Sequence, residues 1–192
     1  IPVDVLITPE QVVTDYIYQL LQYPGTLQVL DFADGAVQLV AVREIKGGPM
    51  VGHDLVAIRA QLPGLDARTA AIWRQDRPIV PEAETVILEG DEVFFVAAKA
   101  DTRKVMKALY PEHKPYHRIR IAGGGNIGYR LAKTLENKHN VKIIEFSAQR
   151  GEYLAEHLDK TVILHGQAAD RALLLEENID KTDVFLAVIN DD

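Results

Sequence analysis

"IRIAGGGNIGYRLAKTLENKHNVKIIE", residues 119–145, holds the reading of this chain. An apolar run, Arg118 to Ala122, leads into Gly123-Gly124-Gly125-Asn126-Ile127-Gly128. Ile127, Leu131 and Leu135 then recur at helical spacing, and a second apolar run ends on Glu145. A GxGxxG motif alone is a weak signal. This one follows a strand, opens a helix, and has an acid 17 residues beyond Gly128, which is the context a dinucleotide site requires. Gly123 permits the tight turn, Gly125 lets the backbone approach a pyrophosphate, and Gly128 allows close packing of helix on strand. The amides and dipole of the helix N-terminus then face the negative charge. Glu145 is suited to a ribose diol, and a 2′-phosphate in that position would meet a like charge, so NAD(H) or an unphosphorylated adenosine ribose is expected over NADP(H).

The pattern continues outward on the C-terminal side. Val141–Phe146 is a strand, Gln149–Leu158 a helix, Thr161–Leu164 a strand, Asp170–Glu177 a helix and Asp183–Ile189 a fourth strand. Such βαβαβαβ alternation folds through right-handed crossovers into a parallel sheet covered by helices. Ligands of open α/β sheets bind at the carboxyl ends of the strands. Gly166, Asn190 and Asp191 fall there, either as ligand contacts or as solvated loop ends. Arg150, near the start of the second helix, reaches either a phosphate or Glu145.

On the N-terminal side the period differs. Val3–Ile7 is a short strand, and Thr8-Pro9-Glu10-Gln11 opens a helix running to about Tyr23. Leu27–Phe32 and Val37–Val42 form a hairpin around Asp34-Gly35. Asp54–Gln61 is a short helix, and Thr69–Trp73, Thr85–Leu88 and Glu92–Ala97 are strands. Asp101 caps a helix that turns Val105, Met106 and Leu109 inward. Residues 27–110 thus read as a small α+β module, joined through the proline-bounded Pro111–Pro115 to the domain that begins at 116.

Composition narrows the function. A chain of 192 residues that is 47% apolar, with 26% charged residues, is ordinary globular usage. A net charge of −7 gives no general attraction to phosphate backbones, so a nucleic-acid partner is not expected. The absence of cysteine excludes disulfides and thiolate metal sites and fits a reducing compartment, with cytosol as the default. No apolar run approaches the ~20 residues needed to span a bilayer. The six histidines show no metal-ligand spacing, and neither a GxSxG elbow nor a Walker lysine is present. Beginning with Ile1 and ending just after an apolar run, the chain reads as a piece of a longer protein. Its first helix and its four-strand sheet are expected to cover one another, within one chain or between two.

Six stretches carry a further resemblance: "VLITPEQVVTDYIYQLLQYPGTLQV", "GGPMVGHDL", "RTAAIWRQDRPIVP", "EGDEVFFVAA", "KPYHRIRIAGGGNIGYRLAKTLE" and "DVFLAVINDD". They cover nearly the whole chain. In their order it resembles the RCK (KTN) family, regulators of potassium conductance, and within it the TrkA-type peripheral subunits of bacterial Trk potassium uptake systems. The resemblance implies that residues 1–26 are the last strand and crossover helix of a first nucleotide-binding lobe. Residues 27–110 would be its C-terminal lobe, and 116–192 the start of a second Rossmann lobe. It implies a non-enzymatic subunit on the inner face of the membrane, with dimers assembling into a tetrameric ring under a Trk-type potassium channel. NAD(H), or ATP or ADP at the same site, would shift the ring's shape and thereby gate the channel.

By position, Gly123, Gly125, Asn126, Ile127 and Gly128 match the family's phosphate loop, Glu145 its ribose acid, Gly166 its adenine-side turn, and Asn190-Asp191 its fourth-strand motif. Two departures stand out. Gln167 occupies the place of a common Asp, and Phe146 the place of an Arg, and both bear on nucleotide choice. The alternative is a fragment of an NAD-dependent oxidoreductase whose catalytic half lies beyond Asp192.

Overall fold

The computed structural model describes residues 8–189. The chain divides into two compact units, Gln19–Pro115 and Ile1–Tyr18 with Tyr116–Asp192. Helix α1 (Pro9–Gln22) crosses that division. The strand expected over Val3–Ile7 lies outside the described residues.

In the Gln19–Pro115 unit, the strands are β1 (Thr26–Phe32), β2 (Val37–Arg43), β3 (Ala67–Arg74), β4 (Arg77–Ile79) and β5 (Glu92–Ala98). They form one antiparallel sheet in the order β1-β2-β5-β3-β4. Alternation along β5 buries Val93, Phe95 and Ala97 on one face. Helices α2 (Leu55–Ala60) and α3 (Lys99–Leu109) supply Ile58, Val105 and Leu109 to the same core. Asp54 caps α2 through the Ala57 amide at 2.7 Å. Leu20 and Tyr23, at the end of α1, pack against this core.

Two expectations fail. Thr85–Leu88 is not a strand, although Val86 makes one bridge with Asp54. Its amides are used singly, Ile87 N–H donating to His53 O at 3.0 Å and Leu88 N–H to the Asp91 carboxylate at 2.8 Å. Asp101 does not cap α3; it lies in the first turn and pairs with Lys104. The three-residue edge strand β4 was not foreseen. It pairs with β3 through a turn in which Gln75 and Asp76 take φ of +48° and +59°, a conformation ordinarily marked by glycine or asparagine.

The second unit carries the βαβαβαβ pattern as β6 (Arg118–Ala122), α4 (Asn126–Leu135), β7 (Asn140–Glu145), α5 (Ala148–His157), β8 (Val162–His165), α6 (Arg171–Glu176) and β9 (Val184–Ala187). All pairings are parallel, in the order β8-β7-β6-β9. The order reverses between β6 and β9, so the glycine loop after β6 sits at the topological switch point, where doubly wound sheets open a crevice. Ile119, Ile121, Ile143, Leu131, Leu135 and Leu154 fill the interface of sheet with helices. The early turns of α1 belong to this unit, where Arg130 Nη1 donates to Gln11 Oε1 at 2.6 Å. Among the described residues no helix is long and apolar enough to cross a membrane.

Candidate nucleotide-binding site

Three glycines in the loop after β6 are required for three different reasons. Gly123 has φ +103°, and a Cβ there would lie 2.8 Å from the Val188 carbonyl oxygen. Its amide donates to Ile144 O at 2.9 Å, which holds the turn over β7. Gly128 cannot accept a side chain either, because a Cβ would stand 1.9 Å from Gly123 O. Gly125 is the opposite case: a Cβ there would meet nothing within 4 Å. The space in front of it is open, and Gly125 is itself the cap of α4, with no side chain to occupy the first-turn amides. A helix start left bare beside open space is where a phosphate group fits.

Glu145 closes the cradle from the end of β7. Its Oε2 accepts the Gly124 amide at 2.7 Å and its Oε1 accepts the Ser147 amide at 2.8 Å. A Cβ on Gly124 would strike Glu145 Oε2 at 2.8 Å and Leu154 Cδ1 at 2.4 Å, so Gly124 belongs to the fit even though it stands between the motif positions. Arg150 pairs with the loop backbone instead of with Glu145. Its Nε donates to Gly124 O at 2.7 Å, and its guanidinium lies 4.6 Å from the centre of the Tyr153 ring. Ser147 caps α5, its hydroxyl accepting the Arg150 amide at 3.3 Å. Gly124 is therefore held at both its N–H and its C=O by side chains from β7 and α5.

Asn126 is exposed and Ile127 half-buried on the first turn of α4. Gly166 follows β8, with its amide on Glu145 O at 3.0 Å, and a Cβ there would meet Leu173 Cδ2 at 2.6 Å. Gln167 is exposed next to it, with its carbonyl accepting the Asp170 amide. Phe146 is 68% exposed. The structure thus gathers Gly123, Gly125, Gly128, Glu145, Arg150 and Gly166 at one sheet edge, whereas Asn190 and Asp191 lie outside the described residues. The spacing of the motif had not marked Gly124 and Ser147 as supports. The polar, helix-capping serine directly after Phe146 was the available signal.

A doubly wound lobe with a glycine loop at its switch point is carried in one chain with a five-stranded antiparallel lobe, a Rossmann-like lobe beside an α+β one. The chain belongs to the TrkA family. Residues 39–110 match the TrkA-C domain and residues 119–192 the TrkA-N domain. It is 53% identical over 192 residues to the Trk system potassium uptake protein TrkA of Halomonas elongata and 55% identical to that of Vibrio alginolyticus. Each match covers 100% of this chain and 42% of the relative, so the chain spans less than half the length of these proteins. Among solved structures it is similar to the GsuK channel bound to NAD, with a TM-score of 0.58 and 19% identity, over 96% of this chain and 32% of that one. That likeness is one of fold.

Proposed function

We propose that this chain is part of a regulatory, non-catalytic subunit that senses NAD(H), or ATP or ADP at the same site, and gates a membrane potassium uptake channel. The observation that carries the reading is the open space before Gly125, bounded by a bare helix start and by Glu145. Gly123, Gly125, Asn126 and Ile127 would hold the phosphates through backbone amides, and Glu145 the ribose diol. Gly166 and Gln167 would flank the adenosine, and Asn190 and Asp191 would complete the strand-end rim. Arg150 acts by bracing the loop at Gly124.

Residues 1–26 are read as the end of a first nucleotide-binding lobe, 27–110 as its C-terminal lobe, and 116–192 as the beginning of a second. The subunit is assigned to the cytoplasmic face of the membrane, as dimers in a tetrameric ring on a Trk-type channel. A ligand gates such an assembly only through different affinities for its two states. The hydrogen bond from the Gly124 amide to Glu145 is the contact with which a bound ribose would compete. Potassium flux through the reconstituted full-length system tests this. Nucleotide-dependent flux that is lost or flattened in Gly125→Val supports the reading, and flux indifferent to nucleotide in the wild type overturns it.

A further inference from the structure

A cleft lined by charged side chains opens at the opposite, amino-terminal edge of the same parallel sheet. It encloses about 450 Å³, and its lining includes Arg118, Arg120, Lys142, Lys181 and Glu177. Four cations and one carboxylate there contrast with the net acidity of the chain.

Arg120 is the unusual member. It lies in the middle of β6, is only 6% exposed, and its neighbour in register on β7 is another cation, Lys142. Like charges at paired positions of a sheet repel, and a buried guanidinium requires partners for all its N–H groups. Arg120 Nη1 has them, donating to Ile119 O and to both oxygens of Asn140, but its Nε is buried with no hydrogen-bond partner. Lys142 pairs with Glu177, Lys181 donates to Asn178 Oδ1 at 3.0 Å and Arg118 Nη1 to Lys181 O at 3.0 Å, and the last two bonds are to neutral oxygens. Burial lowers the pKa of Arg120 from its ordinary value, with Glu177 opposing that shift; the group nonetheless stays charged. The unmet donor and the surplus of cations call for an anion with several acceptor oxygens. A phosphate group is of that kind, and the arginine fork matches it.

We propose that this cleft is a second anion site, which binds the phosphate group of a small ligand through Arg120, with Arg118, Lys142 and Lys181 around it. The site is separate from the glycine loop and does not depend on nucleotide binding there.

The test is calorimetric titration with pyrophosphate at an ionic strength fixed by chloride, of the wild type and of Gly125→Val, in which any binding at the glycine loop is lost and binding here should remain. The wild type should bind saturably. Arg120→Met should weaken binding at least tenfold and Lys142→Gln several-fold. Glu177→Gln, which removes the one carboxylate of the lining, should tighten it several-fold, a gain that misfolding cannot imitate. Lys104→Gln, which removes the same charge at a remote exposed position, should leave affinity unchanged. The proposal is overturned by absence of saturable binding in wild type, by no gain in Glu177→Gln, or by an equal loss in Lys104→Gln.

Discussion

The carboxylate of Glu145 accepts the Gly124 amide at 2.7 Å, binding the end of β7 to the glycine loop that follows β6. One acid thus shapes the loop and, in the proposed function, is also the group offered to a ribose. Replacing it removes both functions. Glu145→Ala should weaken NADH binding tenfold or more, since hydrogen bonds to a charged group contribute about 1.5–3 kcal/mol. Fluorescence titration with NADH checks this, and an unchanged affinity would remove Glu145 from the site.

The glycines of the motif should separate into structural and ligand-facing positions. Gly128→Ala forces a Cβ to within 1.9 Å of Gly123 O and should lower stability by ~1–3 kcal/mol or more, as overpacking does. Gly125→Ala meets no protein atom and should melt within a degree or two of wild type while binding nucleotide poorly. Thermal melts of the two variants distinguish these cases.

Asp91 is fully buried in the antiparallel lobe, where its carboxylate accepts Arg74 Nε and Nη2, each at 2.8 Å, and the Leu88 amide. Asp91→Ala takes two hydrogen bonds from Arg74, which keeps the one to Val86 O, and leaves the Leu88 amide without this acceptor, and should cost about 1–3 kcal/mol. Denaturant unfolding measures it.

Acid sensitivity follows from the same group. Burial raises the pKa of Asp91, but Arg74 and the Leu88 amide outweigh it and hold the carboxyl below its ordinary value. Glu136 is likewise held low: burial raises it, and the Lys160 amide with the Thr161 hydroxyl and amide prevail. A depressed folded-state pKa contributes stability that is present above the unfolded value and lost as pH falls through the folded one. Melting temperature should therefore be flat near neutrality and decline below about pH 4, where unfolded carboxyls begin to protonate. Asp91→Asn should show a shallower decline; a slope equal to wild type would exclude Asp91 as a source.

The buried Tyr110 hydroxyl donates to Glu44, a carboxylate only 1% exposed. Burial, reinforced by Glu44, pushes the Tyr110 pKa far above its ordinary value, so the hydroxyl remains a donor at all working pH. Tyr110→Phe strips Glu44 of that bond and should destabilise the lobe by ~1–3 kcal/mol, read by denaturant unfolding.

The parallel sheet was legible because each of its strands is a short apolar run separated from the next by a helix of clear period, and such spacing admits few topologies. The glycine turn between β6 and α4 was legible because Gly123 and Gly128 answer to local backbone demands. The parts that escaped are those decided at a distance. Gln75 and Asp76 turn the chain with positive φ and carry no glycine to announce it, and β4 contains Pro78, which argues against a strand in isolation. Thr85–Leu88 has a strand's composition, yet its amides are drawn to His53 and Asp91 instead of a ladder. Arg150 was correctly placed near the loop, but its partner, the Gly124 carbonyl, depends on how α5 meets β6 and α4 in space. Arg118 and Arg120 alternate with isoleucines in a strand, and only the register with Lys142 makes that alternation a charged cleft.

The central claim is that the space before Gly125 receives a nucleotide phosphate, and calorimetric titration of NADH into wild type and Gly125→Val tests it most directly. The account predicts saturable binding by the wild type and its loss in a Gly125→Val protein that melts at the same temperature. Absence of binding by the folded wild type, or undiminished binding by Gly125→Val, would contradict it.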